Sequence, residues 1–124
     1  MNEAEALAAL IGADAAELRA ALRQLVQAGE APIVAERGAL IGCAAWHVMP
    51  TLRGAAGRIT LLVVADGERR RGVGTALLAD VEARLAERGC AIAEAVSDID
   101  LANAHGFFRK QGYERTSYRF RKSL

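Results

Sequence analysis

The chain has 124 residues, 52% of them hydrophobic and 25% charged, a length and balance that suit one globular domain over residues 1–124 and exclude a disordered or fibrous polypeptide. Its formal net charge of +1 excludes the broad basic excess with which proteins hold nucleic acid or an anionic membrane, so any cationic function must be local.

The opening segment MNEAEALAALIGADAAEL is acidic and lacks the basic start of a signal peptide. No apolar run reaches the roughly 18 residues needed to cross a bilayer. Residues 3–11 read as a short helix stopped by Gly12. Asp14 and Glu17 form a capping box, and behind it Leu18, Leu22, Leu25 and Val26 share one helical face until Gly29 ends the helix. Two extended runs follow, Pro32 to Glu36 and Ala39 to Val48, joined by a turn at Arg37-Gly38. Residues 50–57 read as a loop.

RITLLVVA, residues 58–65, is β-branched and apolar on both faces, the mark of a central strand covered on both sides. Val73, Leu77, Val81 and Leu85, with Leu78 beside them, recur at helical spacing up to Arg88, and Gly89 stops that helix. Residues 90–96 read as a further strand. Asp98 or Asp100 caps a short helix running to about Gln111 and ended by Gly112. Residues 113–122 alternate, with Thr116, Tyr118 and Phe120 on one face and Arg115, Ser117, Arg119 and Arg121 on the other, which predicts a last strand. The order helix, helix, three strands, helix, strand, helix, strand predicts an α/β fold: an antiparallel meander followed by parallel or mixed pairing in one central sheet flanked by helices.

Cys43 and Cys90 lie in apolar runs, with no second thiol or histidine at metal-ligand spacing. They read as reduced, buried thiols of a cytoplasmic protein, and no metal is implied.

RRRGVGTALL, residues 69–78, joins the central strand to the longest helix. Three arginines in a row commonly form no more than a solvated face. Here they adjoin a helix start, where the first N–H groups lack intrahelical partners and the helix dipole favours an anion. Gly72 and Gly74 lack β-carbons, so a bulky anion can approach the backbone. Arg69, Arg70 and Arg71 supply donors suited to phosphate. The stretch therefore reads as a cradle for a pyrophosphate. A Walker loop fits poorly, because Val73 stands at its essential lysine. A dinucleotide fingerprint fits poorly too, because Leu77 takes its third glycine position and seven residues separate Val64 from Gly72.

A third pattern fits better. Arg69, Gly72 and Gly74 match [RQ]-x-x-G-x-[GA] in register, and the stretch resembles the coenzyme A signature of the GNAT family of N-acetyltransferases. The family's preceding strand has the form L-x-V-x-P; Leu62 and Val64 match it, with Asp66 at the proline position. The helix GVGTALLADVEARLAERG also resembles the family's. In AHGFFRKQGY, Ala104, Phe107, Gly112 and Tyr113 match a second family segment, A-x-x-[FL]-Y-x-x-x-G-[FY]. The resemblance spans roughly residues 14–122. It implies the acyl-CoA N-acyltransferase fold, a mixed, mostly antiparallel sheet, here lacking the family's usual first strand. It also implies acetyl-CoA as co-substrate, without a metal, and direct acetyl transfer to a primary amine on a small molecule, a peptide N-terminus or a lysine.

The same resemblance implies a cofactor-binding set: Leu62, Val63 and Val64 on the strand edge, Arg69, Arg70, Arg71, Gly72, Val73, Gly74 and Thr75 at the cradle, and Asn103 and Phe108 beyond. It implies an oxyanion donor among backbone N–H groups near a bulge in the central strand, around Val63 to Ala65. Such transfer needs the amine to lose a proton, the carbonyl oxygen to meet a donor and the departing sulfur to gain a proton.

Two positions depart from the family. Phe108 replaces the tyrosine that serves as general acid, and Leu101 replaces a frequent asparagine, with Asn103 nearby but out of register. These departures leave open a second reading, a coenzyme A-binding sensor or interaction module without catalysis. Glu36, His47 and Tyr118 are the catalytic candidates, with Glu94 and His105 behind them. Each has an ordinary alternative as a solvated carboxylate, a packed histidine or a surface tyrosine, and Tyr113 matches a packing position. The missing first strand leaves a sheet edge exposed, which favours a homodimer.

Overall fold

The computed structural model describes residues 2–69, 71–96 and 102–124, with side chains from residue 104 in the last segment. Two helices come first. In α1 (Glu3–Ile11) the Asn2 side chain accepts from the Glu5 N–H, and Gly12 ends the helix at φ 73°. In α2 (Ala15–Gln27) the Asp14 carboxylate accepts from the Glu17 N–H at 3.0 Å, so the predicted cap is formed. Leu7 and Ala8 of α1 are buried, whereas α2 buries no residue fully and leaves Val26 61% exposed.

The sheet has the order β1 (Ile33–Glu36), β2 (Leu40–Thr51), β3 (Gly54–Val64) and β4 (Ala93–Ala95). The first three strands form an antiparallel meander and β4 joins β3 in parallel, as the alternation of elements predicts. The expected loop over 50–57 is instead a tight hairpin: Pro50 pairs with Ala55 and Thr51 with Gly54. Its turn is held by the Thr51 hydroxyl, which donates to the Gly54 carbonyl at 2.6 Å and accepts from the Arg53 N–H at 3.1 Å. Both arms alternate weakly in sequence, so pairing, a non-local property, extends them beyond their local signal.

Helix α3 (Val73–Glu87) carries the chain from β3 to β4. It buries Val73, Leu77, Leu78, Val81 and Leu85, the positions its periodicity predicts. They pack with Ile33, Ala44, Trp46 and Ile59 of the sheet. The fit is close at two glycines. A β-carbon on Gly42 would lie 2.9 Å from Leu77 Cδ1, and one on Gly57 would lie 2.6 Å from Leu85 Cδ1. Trp46 donates through Nε1 to the Ala31 carbonyl at 3.0 Å, and the Arg88 guanidinium lies 5.8 Å from its ring centre. Cys43 and Cys90 are free thiols, and burial pushes the Cys43 thiol up to about 11.

Helix α4 (Ala102–Lys110) ends at Gly112, φ 89°. Asp98 and Asp100, the expected caps, lie outside the described residues. The last predicted strand is not formed: residues 113–124 take no strand structure, and Tyr118 and Phe120 are 85% and 93% exposed. Their alternation satisfies the local requirement for a strand, but a strand also needs a neighbour for its N–H and C=O groups. Among the described residues no strand lies outside β1, and α1 begins at Glu3.

Candidate functional site

The parallel pairing of β3 with β4 covers only Gly57, Arg58 and Ile59. Beyond Ile59, β3 continues to Val64 along β2, with no strand on its other side among the described residues. The two strands part at an irregularity. Ala45 pairs with Leu61 and Trp46 with Ile59, so Thr60 is an extra residue in β3. A bulge there bends the strand and re-aims its groups. This bulge lies three residues before the expected Val63 to Ala65, because its register is set by pairing across the sheet. The backbone of Thr60 to Val64 therefore forms an open edge that an extended amide chain can meet, with the Val64 carbonyl accepting from Arg69 Nε at 3.5 Å.

That edge runs into the cradle. The Ala65 N–H donates to the Ile41 carbonyl at 2.8 Å, a single 3-10 turn follows (Asp66–Glu68), and Gly72 then caps α3 at φ 82°. A β-carbon on Gly72 would meet nothing within 4 Å, so its glycine is required by the left-handed backbone and not by crowding. Gly74 differs. Its missing β-carbon would lie 3.5 Å from the Phe107 ring and 3.7 Å from Val64 Cγ2, so it seats α4 and β3 against α3. The Val73 side chain is buried, leaving its N–H for a ligand, and Leu62 and Val64 likewise turn their side chains to the core. The Thr75 hydroxyl accepts from Gln111 Nε2 at 3.1 Å.

The cradle's arginines are paired with carboxylates that the sequence reading did not weigh. Arg69 lies 3.0 Å from Asp66, and Arg71 lies 3.8 Å from Glu68. Arg37, from the β1–β2 turn, reaches Glu68 at 3.2 Å. Arg69 and Asp66 are well exposed, and such a pair contributes little, whereas Glu68, which holds Arg37 and Arg71, is half-buried. Arg70 and Leu101 lie outside the described residues, as does the side chain of Asn103.

Phe108 sits with Phe107 and Tyr113, with ring centres 5.4 Å apart in each edge-on pair, against the hydrophobic core. The Tyr113 hydroxyl donates to Glu82 at 2.8 Å; burial, followed by Glu82, raises its pKa well above the usual phenol range. Tyr113 is thus a packing residue, as its motif position implies.

The catalytic candidates separate. Glu36 ends β1, with β2 and β3 between it and the opening, and it lines a groove of about 340 Å³ with Ile33, Arg71, Val73 and Asp80. Tyr118 lies on the strandless tail, away from the core. Glu94 stands in register with Arg58, one residue short of where the strands part. His105 lies on α4, part-buried and partnered. His47 is the candidate at the opening. Its Nε2 is 3.0 Å from Thr60 Oγ1, at the bulge, and its Nδ1 is 3.2 Å from Glu30 Oε1. Glu30 also accepts from the Val48 N–H at 2.7 Å. Burial acts to raise the Glu30 pKa, but the Val48 N–H, His47 and Arg88 outweigh it and leave the carboxyl below its ordinary value. Thr60 carries no motif, and Glu30 and His47 are 17 residues apart, so only the register of β2 on β3 reveals the group.

A model of the acetyltransferase (GNAT) family matches residues 5–113. The chain belongs to the GNAT family. An aminoalkylphosphonate N-acetyltransferase of Salmonella typhimurium is 32% identical over 89 residues, 70% of this GNAT chain, which spans 58% of that relative's length. An aminoglycoside N-acetyltransferase solved in complex with CoA superposes with a TM-score of 0.86 at 20% identity, covering 100% of this chain and 91% of the other. An aminoglycoside 6'-N-acetyltransferase from Acinetobacter haemolyticus does so with a TM-score of 0.83 at 18% identity, covering 100% and 94%. At those identities the likeness is one of fold, and the mixed sheet flanked by helices is the GNAT acyltransferase fold. Among the described residues no helix is long and apolar enough to cross a membrane, and no group of three or more His, Cys, Asp or Glu is placed to hold a metal ion.

Proposed function

We propose that this GNAT protein transfers acetyl from acetyl-CoA directly to a primary amine. The observation that carries the reading is the open β3 edge, Thr60 to Val64, running into the glycine-capped start of α3. The edge offers backbone groups to the amides of the pantetheine arm. The N–H groups of Val73, Gly74 and Thr75, with Arg69, Arg70 and Arg71, offer donors to the diphosphate. When bound, acetyl-CoA supplies the activated carbonyl. The chain's part is to hold that carbonyl at the bulge and to bring the amine to it, and positioning of this kind lowers a barrier by several kcal/mol. Asn103 stays a candidate for the cofactor. Phe108, packed with Phe107 and Tyr113, stays a candidate beside it.

The relative from Salmonella typhimurium is named for aminoalkylphosphonates, and the two solved neighbours are named for aminoglycosides. Small amines are accordingly the first acceptors to test, ahead of peptide N-termini and lysines. We place the protein in the cytoplasm on its reduced cysteines. The outer edges of β1 and β4, which no strand covers among the described residues, and the apolar alternation of the tail favour a homodimer.

Calorimetry with acetyl-CoA tests the cradle, and thiol release across an amine panel led by aminomethylphosphonate and an aminoglycoside tests the transfer. Binding followed by turnover is expected. Binding without turnover on any amine supports the coenzyme A-binding module instead, and absence of binding removes both readings.

A further inference from the structure

We infer that Glu30, His47 and Thr60 form a proton relay that takes the proton from the amine as it is acetylated; the inference rests on the transferase reading above. The three residues come from separate places: the segment after α2, strand β2 and the β3 bulge. They form a chain of hydrogen bonds, from Glu30 Oε1 to His47 Nδ1 at 3.2 Å and from His47 Nε2 to Thr60 Oγ1 at 3.0 Å.

The chemistry fixes the direction. Glu30 carries a lowered pKa, so it is a carboxylate at neutral pH and can only accept. In the neutral ring Nδ1 then holds the imidazole proton, and Nε2 is left bare to accept from the Thr60 hydroxyl. A carboxylate that fixes the tautomer of a histidine while the other ring nitrogen faces a hydroxyl is the arrangement used for base catalysis on unrelated folds. The Glu30 side chain is 12% exposed and that of His47 29%. Glu30 is held by its second oxygen on the Val48 N–H. Thr60, by contrast, is exposed and begins the open edge, so the relay is anchored inside and ends at the surface where the strands part.

Charged groups around the histidine are few. Arg58 stands opposite it on β3, with its Nε buried and without a hydrogen-bond partner. Glu94 on β4 is in register with Arg58, and Arg88 after α3 acts on Glu30.

The step balances as follows. The amine nitrogen bonds to the thioester carbonyl carbon, and the carbon–sulfur electron pair leaves with sulfur. The proton lost by nitrogen passes to Thr60 Oγ1 as the Thr60 proton passes to His47 Nε2. His47 returns it to water, and the thiolate takes a proton from water, giving amide and free thiol. His47 and Thr60 are the catalytic residues here, and Glu30 is a positioning residue.

The test joins imidazole nitrogen NMR of the free protein with kinetics on aminomethylphosphonate. With two histidines in the chain, His47→Gln assigns the signals. The wild type should show Nδ1 protonated and Nε2 bare, and Glu30→Gln should mix the tautomers. His47→Gln should lower kcat/KM by roughly 10²-fold or more, while acetyl-CoA affinity in calorimetry stays within threefold, which also reports that the variant folds. Thr60→Val should lose about tenfold in kcat and Thr60→Ser should recover it. Turnover by His47→Gln within threefold of wild type, or an Nε2-protonated tautomer in the wild type, overturns the relay and leaves the transferase reading intact. Failure of the wild type to bind acetyl-CoA, or to turn over any amine, overturns both.

Discussion

The Phe107 ring of α4 lies 3.5 Å from where a β-carbon on Gly74 of α3 would stand. The second glycine of the cradle is therefore a contact between two helices as well as a place for an anion. A methyl group at that distance makes ordinary van der Waals contact, and alanine is also the better helix former. Gly74→Ala should leave the thermal midpoint within about 3 °C of wild type and keep acetyl-CoA binding. Gly74→Val should lose both, because its branches enter the Phe107 ring. Differential scanning fluorimetry with and without acetyl-CoA checks the pair.

Gly72 fails for another reason. At φ 82° a non-glycine residue is strained by roughly 1–2 kcal/mol, although the space beside it is open. Gly72→Val should weaken acetyl-CoA binding far more than Arg70→Ala, since a relaxed backbone turns the helix N–H groups away from the ligand. Equal losses in calorimetry would show that charge, and not the backbone, governs the cradle.

Glu68 holds Arg37 at 3.2 Å and Arg71 at 3.8 Å, and it competes with an incoming phosphate for both. Glu68→Gln should tighten acetyl-CoA binding by about threefold at low salt, because both arginines are exposed though Glu68 is half-buried. The gain should fade as ionic strength rises. A weaker complex in the variant would mean that Glu68 orders the arginines instead of occupying them.

The packing of β3 on α3 has its tightest point at Gly57, where an added methyl group would come within 3.0 Å of three atoms of the Leu85 side chain. Leu85 is 1% exposed and has little room to move. Gly57→Ala should cost about 1–3 kcal/mol of stability, read as a lower urea midpoint. Combining it with Leu85→Val should cost less than the two separate losses added, because the second change makes room for the first.

Glu30 links stability to pH. Its folded-state pKa lies below the ordinary value of 4.5, so its stabilising effect is present above that value and is lost as pH falls through the lowered pKa. Glu30→Gln should therefore be less stable than wild type at pH 7. The gap should narrow below about pH 4.5. Urea midpoints of both proteins at pH 7, 5 and 3 measure this, and a gap constant with pH would exclude a role for the carboxylate's charge.

Features that depend on near neighbours in the chain were legible in the sequence. The Asp14 cap needs only Glu17, and the buried row of α3 needs only its own period. The central strand announced itself by its doubly apolar run, and the cradle by glycines and arginines beside a helix start. Features that depend on pairing across the sheet were hidden. The alternation of residues 113–122 met every local requirement of a strand, yet no neighbour receives it. The bulge at Thr60 exists because two hydrogen-bonding registers meet there.

The sequence by itself determined the order of elements as far as α4, the helix that builds the core and the cradle at its start, because each arises from contacts within a few residues. Only the tertiary structure decided where β3 parts from β4, that Arg37 reaches Glu68, and that His47 stands between Glu30 and Thr60. The side-chain contacts among them join residues 13 to 31 positions apart, and such separations are set by strand register and packing, which no local pattern encodes.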